Sequence, residues 1–378
     1  MQNEVSLVIF GDICSDRGFR QIFSKGNSEE LFGFAEQIVS DSDIAIANLE
    51  CPLTDSLEPI RKSGPCLSGP PETAIVLARA GFDAVCLANN HIMDQGEDGL
   101  RSTINVCDEA GLEIVGAGEN LQEARQPLII ERNGVRVGFY CMAETEFSIA
   151  SDSSAGANGI DAASWVNDIT GLKVRSDFIV VLLHSGKENY QLPTPLQQQL
   201  CRNLVRNGAD LIVCQHSHCI GAYEKYQNKV IIYGQGNFIF DSVGPTIDTW
   251  HIGVIARICI NSDRSCKFDP VYYYQSTRQP SIRALTESEM REVTERQISL
   301  NKTVVDPESV KNEWNIIVGR DAPNMLYLLS GYRGLLLRIL RRLGLHKLLY
   351  KNTTRLSALN MLRCQTHREL LETYFENE

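Results

Sequence analysis

Phe178-Ile179-Val180-Val181-Leu182-Leu183 is an unbroken apolar run of strand length that stops at His184. A second run, Leu211-Ile212-Val213-Cys214, leads into Gln215-His216-Ser217-His218. Strands apolar at every position must be covered on both faces, so they belong to sheets buried between helices. The rest of the chain supplies the alternation. Val5–Phe10, Ile44–Ala47, Asp83–Ala88 and Glu113–Val115 read as strands, and between them Glu29–Ser40, Glu72–Ala80 and Gly99–Ala110 carry helical spacing, the last two closed by Gly81 and Gly111. Asn133-Gly134 between two apolar runs signals a hairpin over 127–141. Leu196–Asn207 reads as a helix, and Val230–Tyr233, Gly253–Ile260 and Lys267–Tyr274 as closing strands. Asp55–Pro71 and Ser148–Gly159 read as loops, the latter as a mobile one near the site.

Composition fits an ordinary globular chain: 43% hydrophobic and 22% charged over 378 residues. The net charge of −11 argues against nucleic-acid binding. Twelve cysteines fall as singletons, several inside apolar runs, which fits a reducing compartment and not a thiolate metal site. With no leader-like N-terminus and no window approaching the ~18 apolar residues of a membrane span, the expected location is cytoplasmic.

The strand ends carry the chemistry. Asp12, Glu50, Asn90-His91, His184 and His216-x-His218 each close an apolar run, and four of the seven histidines lie there. In α/β sheets strand C-termini share one rim, so separate strands deliver these residues to one place. The set is oxygen and nitrogen without thiolate. It suits Mn, Fe, Zn or similar divalent ions, and two of them if a carboxylate bridges.

Gly11-Asp12, Asn48-Leu49-Glu50, Asn89-Asn90-His91-x-x-Asp94-x-Gly96-x-x-Gly99-Leu100, His184-x-Gly186-x-Glu188, His216-x-His218 and Tyr233-x-x-Gly236-Asn237-Phe238-x-Phe240-Asp241 follow in order. This series, over roughly residues 4 to 245, resembles the CapA family, associated with poly-γ-glutamate and other capsule synthesis. Through it the chain resembles the calcineurin-like metallophosphoesterases, whose fold is a four-layer α-β-β-α sandwich. The resemblance implies that Asp12 and His218 hold one metal and Asn90, His184 and His216 a second, with Glu50 bridging. It further implies His91, beside Asn90, as general acid, and Arg17, Glu188 and Asn237 as substrate contacts. Ile13-Cys14 follow Asp12 where that superfamily carries a histidine, Ser185 stands for its usual tryptophan, and Gln215 and Ser217 flank the last histidines. Two readings follow: a dinuclear hydrolase acting on a phosphoester of an anionic polymer precursor, or a non-catalytic accessory that binds polymer or synthase through a degenerate site.

The expected domains are 1–280, the sandwich, and 281–378, a helical extension. Within the extension, 331–368 carries Arg333, Arg338, Arg341, Arg342, Lys347, Lys351, Arg355, Arg363 and Arg368 with no acidic residue, interleaved with leucines. Such a segment fits either peripheral attachment to an anionic membrane surface, here the inner face, or a helical hairpin packed on the domain.

Overall fold

The computed structural model describes residues 4–26, 31–241, 248–276, 281–329 and 352–363, with 366, 367, 371 and 375. Two large sheets dominate it. In the first, β1 (Val5–Ile13) is flanked on one side by parallel β2 (Ile44–Leu49), β3 (Ala84–Cys86) and β4 (Glu113–Val115). On its other side lie β14 (Ile252–Ile260), β15 (Cys266–Ser276) and β16 (Ser281–Ala284), all antiparallel. β13 (Asn237–Ile239) pairs in parallel with the end of β1. The second sheet runs β11 (Tyr223–Tyr226), β12 (Lys229–Ile232), β10 (Leu211–Gln215), β9 (Phe178–His184), β7 (Val135–Ala143) and β6 (Leu128–Arg132), with β12, β10, β9 and β7 parallel. β5 (Ala117–Gly118) and β8 (Gly156–Ala157) form a short third ladder.

Alternation along the second sheet sets the layering. Phe178, Val180 and Leu182 join the core between the sheets, as do Val137, Phe139 and Cys141. Ile179, Val181 and Leu183, with Tyr140 and Met142, face the other way, onto Trp165, Ile169 and Leu172 of helix Ala162–Arg175 and Cys201, Leu204 and Val205 of helix Pro195–Arg206. Successive strand side chains point to opposite faces, so one apolar run feeds two cores. The first sheet is covered in turn by helices Glu72–Arg79 and Gly96–Ala110, through Ala74, Val76, Leu77, Leu100 and Cys107. The result is the expected helix–sheet–sheet–helix sandwich.

Local chemistry explains the element ends. Thr194 caps helix Pro195–Arg206 by accepting from Gln197 N, with proline in the first turn. Asn133 and Gly134, at φ 54° and 77°, turn the β6–β7 hairpin with both central residues left-handed, as a type I′ turn requires. Ser148–Gly159 is not the mobile loop its composition suggests. Ser148 is buried and donates to Asn90 O, while Gly156 and Ala157 pair with β5.

The first compact unit runs Met1–Asn312 and the second Glu313–Glu378, a boundary later than 280. Helix Glu287–Val304, opened by a Thr286–Glu289 capping box, belongs to the first unit. Gln297 Nε2 donates to Gly221 O (3.0 Å), Tyr223 N to Asn301 Oδ1 (2.8 Å) and Gln198 Nε2 to Val304 O (2.6 Å). Of the basic segment, 331–351, 364, 365 and 368 lie outside the described residues, and Asn352–Arg363 is helical. No helix among the described residues is long and apolar enough to cross a membrane.

Gly11 is where the fold tolerates no side chain. A Cβ there would stand 2.1 Å from Gly236 O, a backbone atom with no room to move. Gly11→Ala is expected to lose about 1–3 kcal/mol of stability or more, seen as a lowered midpoint in thermal melts.

Candidate metal centre

Parallel pairing brings the strand ends to one rim. Asp12 sits in register with Asn48 of β2 and Asn237 of β13, and His184 with Gln215 of β10. Beyond β10 the backbone turns left-handed twice, at His216 (φ 85°) and His218 (φ 52°). Non-glycine residues hold such conformations at a cost of order 1–3 kcal/mol, and they cluster where a side chain must be aimed. Here the two turns bring both imidazoles of the i, i+2 pair to the same rim. His218 is further fixed by Asn237 Oδ1 at 2.8 Å from its Nδ1 and by the rings of Phe240 and Trp250 at 4.9 and 4.8 Å.

Two ligand groups result. Glu50, His184 and His216 form one, and Asp12, Glu50 and His218 the other; within each, one ligand atom per residue lies within 4.8 Å of the rest. Glu50 is common to both. Its Oε1 is 3.4 Å from His184 Nε2, an ion-pair contact without the alignment of a hydrogen bond, and neither carboxylate oxygen has a hydrogen-bond partner among the described residues. Asn90 Oδ1 lies 3.0 Å from His184 Nε2, and His216 Nδ1 lies 3.1 Å from that same nitrogen. His218 Nδ1 is 3.6 Å from Asp12 Oδ2. A fully buried carboxylate without hydrogen bonds is costly unless a cation answers it. The donors around it are imidazole nitrogens and carboxylate and amide oxygens, so the residues fit divalent ions of the Mn, Fe or Zn class.

The electrostatics of the protein alone are those of a cluster prepared for cations. Burial, with the Glu50 carboxylate beside it, pushes Asp12 up to about 7. Burial would raise Glu50 too, but the His184 and His218 imidazoles outweigh it and hold Glu50 well below the usual carboxylate range. Burial pulls His184 down, yet the Glu50 and Asp12 carboxylates bring it up to about 9. His216, buried beside two other imidazoles, is pushed well below its ordinary value and is neutral, the form that ligates.

Supporting residues escape a search for ligands. Asn48 Nδ2 donates to Asp12 Oδ1 (2.8 Å) and lies 3.3 Å from His184 Nδ1, tying the two sheets together. Asn89 Nδ2 reaches Asn48 Oδ1 and Leu49 O, and its Oδ1 accepts from His91 N. His91 Nδ1 pairs with Asp94 Oδ2 at 2.6 Å. Asn48, Asn89 and Asp94 all stood in the sequence motifs, but only contact reveals their roles. Of the residues expected to touch substrate, Asn237 is buried against His218 and Tyr273 Oη donates to its carbonyl. Arg17 is exposed on the turn after β1, with φ 53°, its guanidinium 4.0 Å from Asp16. Glu188 is exposed and belongs to neither ligand group.

Fold and site together define a chain with a buried nitrogen–oxygen centre at the seam of a two-sheet sandwich. It belongs to the bacterial capsule synthesis protein family PGA_cap, whose sequence profile matches residues 6–242. The chain is 31% identical over 250 residues to the capsule biosynthesis protein CapA of Bacillus anthracis, covering 64% of this chain and 61% of that one. It is 31% identical over 242 residues to the PGA biosynthesis protein CapA of Bacillus subtilis (strain 168), covering 63% of each. The match thus spans less than two thirds of either relative. A 5′-nucleotidase precursor from Thermus thermophilus aligns with a TM-score of 0.43 at 11% identity, over 78% of this chain and 58% of that one.

Metal addition is expected to stabilise metal-stripped protein by about 2.7 kcal/mol at 100 times Kd, seen as a raised melting midpoint. Glu50→Gln should abolish that gain and also lower the midpoint of the stripped protein, because it leaves the buried His184 imidazolium without its counter-charge. Since ions displace the protons that Asp12 and His184 hold near pH 7 to 9, affinity should tighten from pH 6 to pH 8 in titration calorimetry.

Proposed function

We propose that this protein is a metal-dependent, phosphoesterase-type hydrolase that acts on an anionic precursor in capsule or surface-polymer synthesis. The single observation that carries the reading is Glu50 shared between two ligand groups. Asp12, Glu50 and His218 would hold one ion and Glu50, Asn90, His184 and His216 the other. When bound, two divalent ions supply charge for the entering and leaving oxygens and lower the pKa of a water.

The protein's residues do the rest. His91, held at Nδ1 by Asp94, presents Nε2 as the ring nitrogen able to give its proton to the leaving oxygen. Asn48 holds the Asp12 carboxylate and the far side of the His184 ring, so ligands from the two sheets keep one spacing. Burial of the cluster keeps bulk water from screening these charges. The family and the relatives named for capsule and PGA biosynthesis support the polymer context. The basic segment 331–368 would carry the protein to an anionic membrane surface on the cytoplasmic side, where such precursors are assembled.

A second reading, a polymer- or synthase-binding accessory, is favoured by the group holding only Asp12, Glu50 and His218, with Ile13-Cys14 following Asp12. Bis(p-nitrophenyl) phosphate with Mn²⁺ separates the two. Hydrolysis that is abolished in His216→Ala and reduced about 10²–10⁴-fold in His91→Ala supports the hydrolase. Metal uptake without turnover supports the accessory. Deleting 331–378 should abolish sedimentation with vesicles rich in anionic phospholipid and leave hydrolysis unchanged; undiminished sedimentation would refute the attachment.

A further inference from the structure

The loop Asp55–Pro71 is exposed along 55–59 and at Arg61, Ser63, Gly64 and Pro65, yet of its charged side chains Lys62 turns inward. The Lys62 side chain is 2% exposed. Its Nζ lies 3.3 Å from Asn90 O, 3.2 Å from His91 Nδ1 and 2.5 Å from Asp94 Oδ1. The loop is fastened around the same carboxylate: Leu67 N donates to Asp94 Oδ2 (2.7 Å) and Ile60 N to Asp94 O (3.1 Å).

We propose that Lys62 is a positioning residue of the metal centre, which locks the ligand Asn90 and the acid His91 into one register. The inference rests on the hydrolase reading for His91, and on the metal centre alone for Asn90. As a mere fastener of the loop, a lysine is a poor choice. A buried ammonium loses its hydration, and well-packed apolar side chains usually serve stability as well or better than buried ion pairs. What the ammonium supplies is donation to two acceptors, Asn90 O and Asp94 Oδ1, the second belonging to the carboxylate that holds His91 Nδ1. At Asn90 it holds the backbone of a residue whose side-chain oxygen is 3.0 Å from His184 Nε2. At His91 it acts through Asp94, fixing the carboxylate whose other oxygen accepts from Nδ1. A ring flip would put carbon where Asp94 expects nitrogen, so Nε2 stays the nitrogen left for substrate.

Lys62→Met, close in length and able to fill the same space, tests this in the full chain. The variant should melt within a few degrees of the parent and still take up Co²⁺, but with an altered visible spectrum, because Asn90 O then keeps only its bond from Ser148. Its loss of kcat should grow with leaving-group basicity: small on p-nitrophenyl phosphate and about 10²-fold on phenyl phosphate, which needs the proton more. KM should change little. A parental Co²⁺ spectrum with equal losses on both substrates would overturn the proposal and leave Lys62 a loop fastener. If the parent protein hydrolyses neither of these nor bis(p-nitrophenyl) phosphate, the hydrolase reading fails, and the Co²⁺ spectrum of Lys62→Met still decides the positioning role at Asn90. A parent protein that binds no Co²⁺ overturns both. Should Lys62→Met fail to fold, Lys62→Gln, which keeps a donor, is scored by the same spectrum and the same pair of substrates.

Discussion

A carboxylate buried at the junction of two sheets without a hydrogen bond to either oxygen sets the terms for everything around Glu50. Left alone, it would be among the most costly groups in the molecule. The fold answers by surrounding it with nitrogen. His184 and His218 hold its charge in the protein alone, and His184 is in turn held protonated by it. That arrangement is a substitute for cations. The proton on His184 and the raised pKa of Asp12 mark the places where positive charge is wanted, and divalent ions seated there would displace those protons. The strain at His216 and His218 has the same origin, since both imidazoles must reach a point that a strand in regular extension would miss.

Much of this was legible in the sequence, for a physical reason. Strands buried on both faces have few polar residues to spare, so the polar residues that follow each run mark the rim; the division into ligands and supports, with Asn48, Asn89 and Gln215 nearer the runs than Glu50, Asn90 and His216, came only with the family resemblance. The hairpin was legible because Asn-Gly has few other uses. Helix Ala162–Arg175 was not read, although Asp161 caps it and Trp165, Ile169 and Leu172 mark its buried face. Its spacing is diluted by exposed apolar residues such as Val174. The Ser148–Gly159 segment misled because small polar residues look alike in a mobile loop and in a loop pinned by its backbone. Lys62 had no signal at all: a lysine in a Pro/Gly/Ser-rich loop is usually solvated, and only its contacts show that it is buried.

The boundary of the sandwich shows a related limit. The family profile ends at residue 242, yet β1 is completed by β14, which starts at Ile252, and β14 by β15. Motifs mark chemistry. The edge of the core is set by where apolar area is finally covered, here by helix Glu287–Val304, whose Gln297 bonds the carbonyl of Gly221, three residues beyond His218.

The ligands come from both sheets: Asp12, Glu50 and Asn90 from the first, and His184, His216 and His218 from the second. The site is thus also a joint. In the protein alone that joint is spanned by Asn48 and by the His184–Glu50 and His218–Asp12 contacts. Ions seated there would add cross-links to two layers that apolar packing and polar contacts such as Gln215 Nε2 to Phe10 O and Arg132 to Asp83 already join, and loading the centre would slow the breathing of both sheets together. Substrate entry would then depend on the loops above the joint and not on the layers parting.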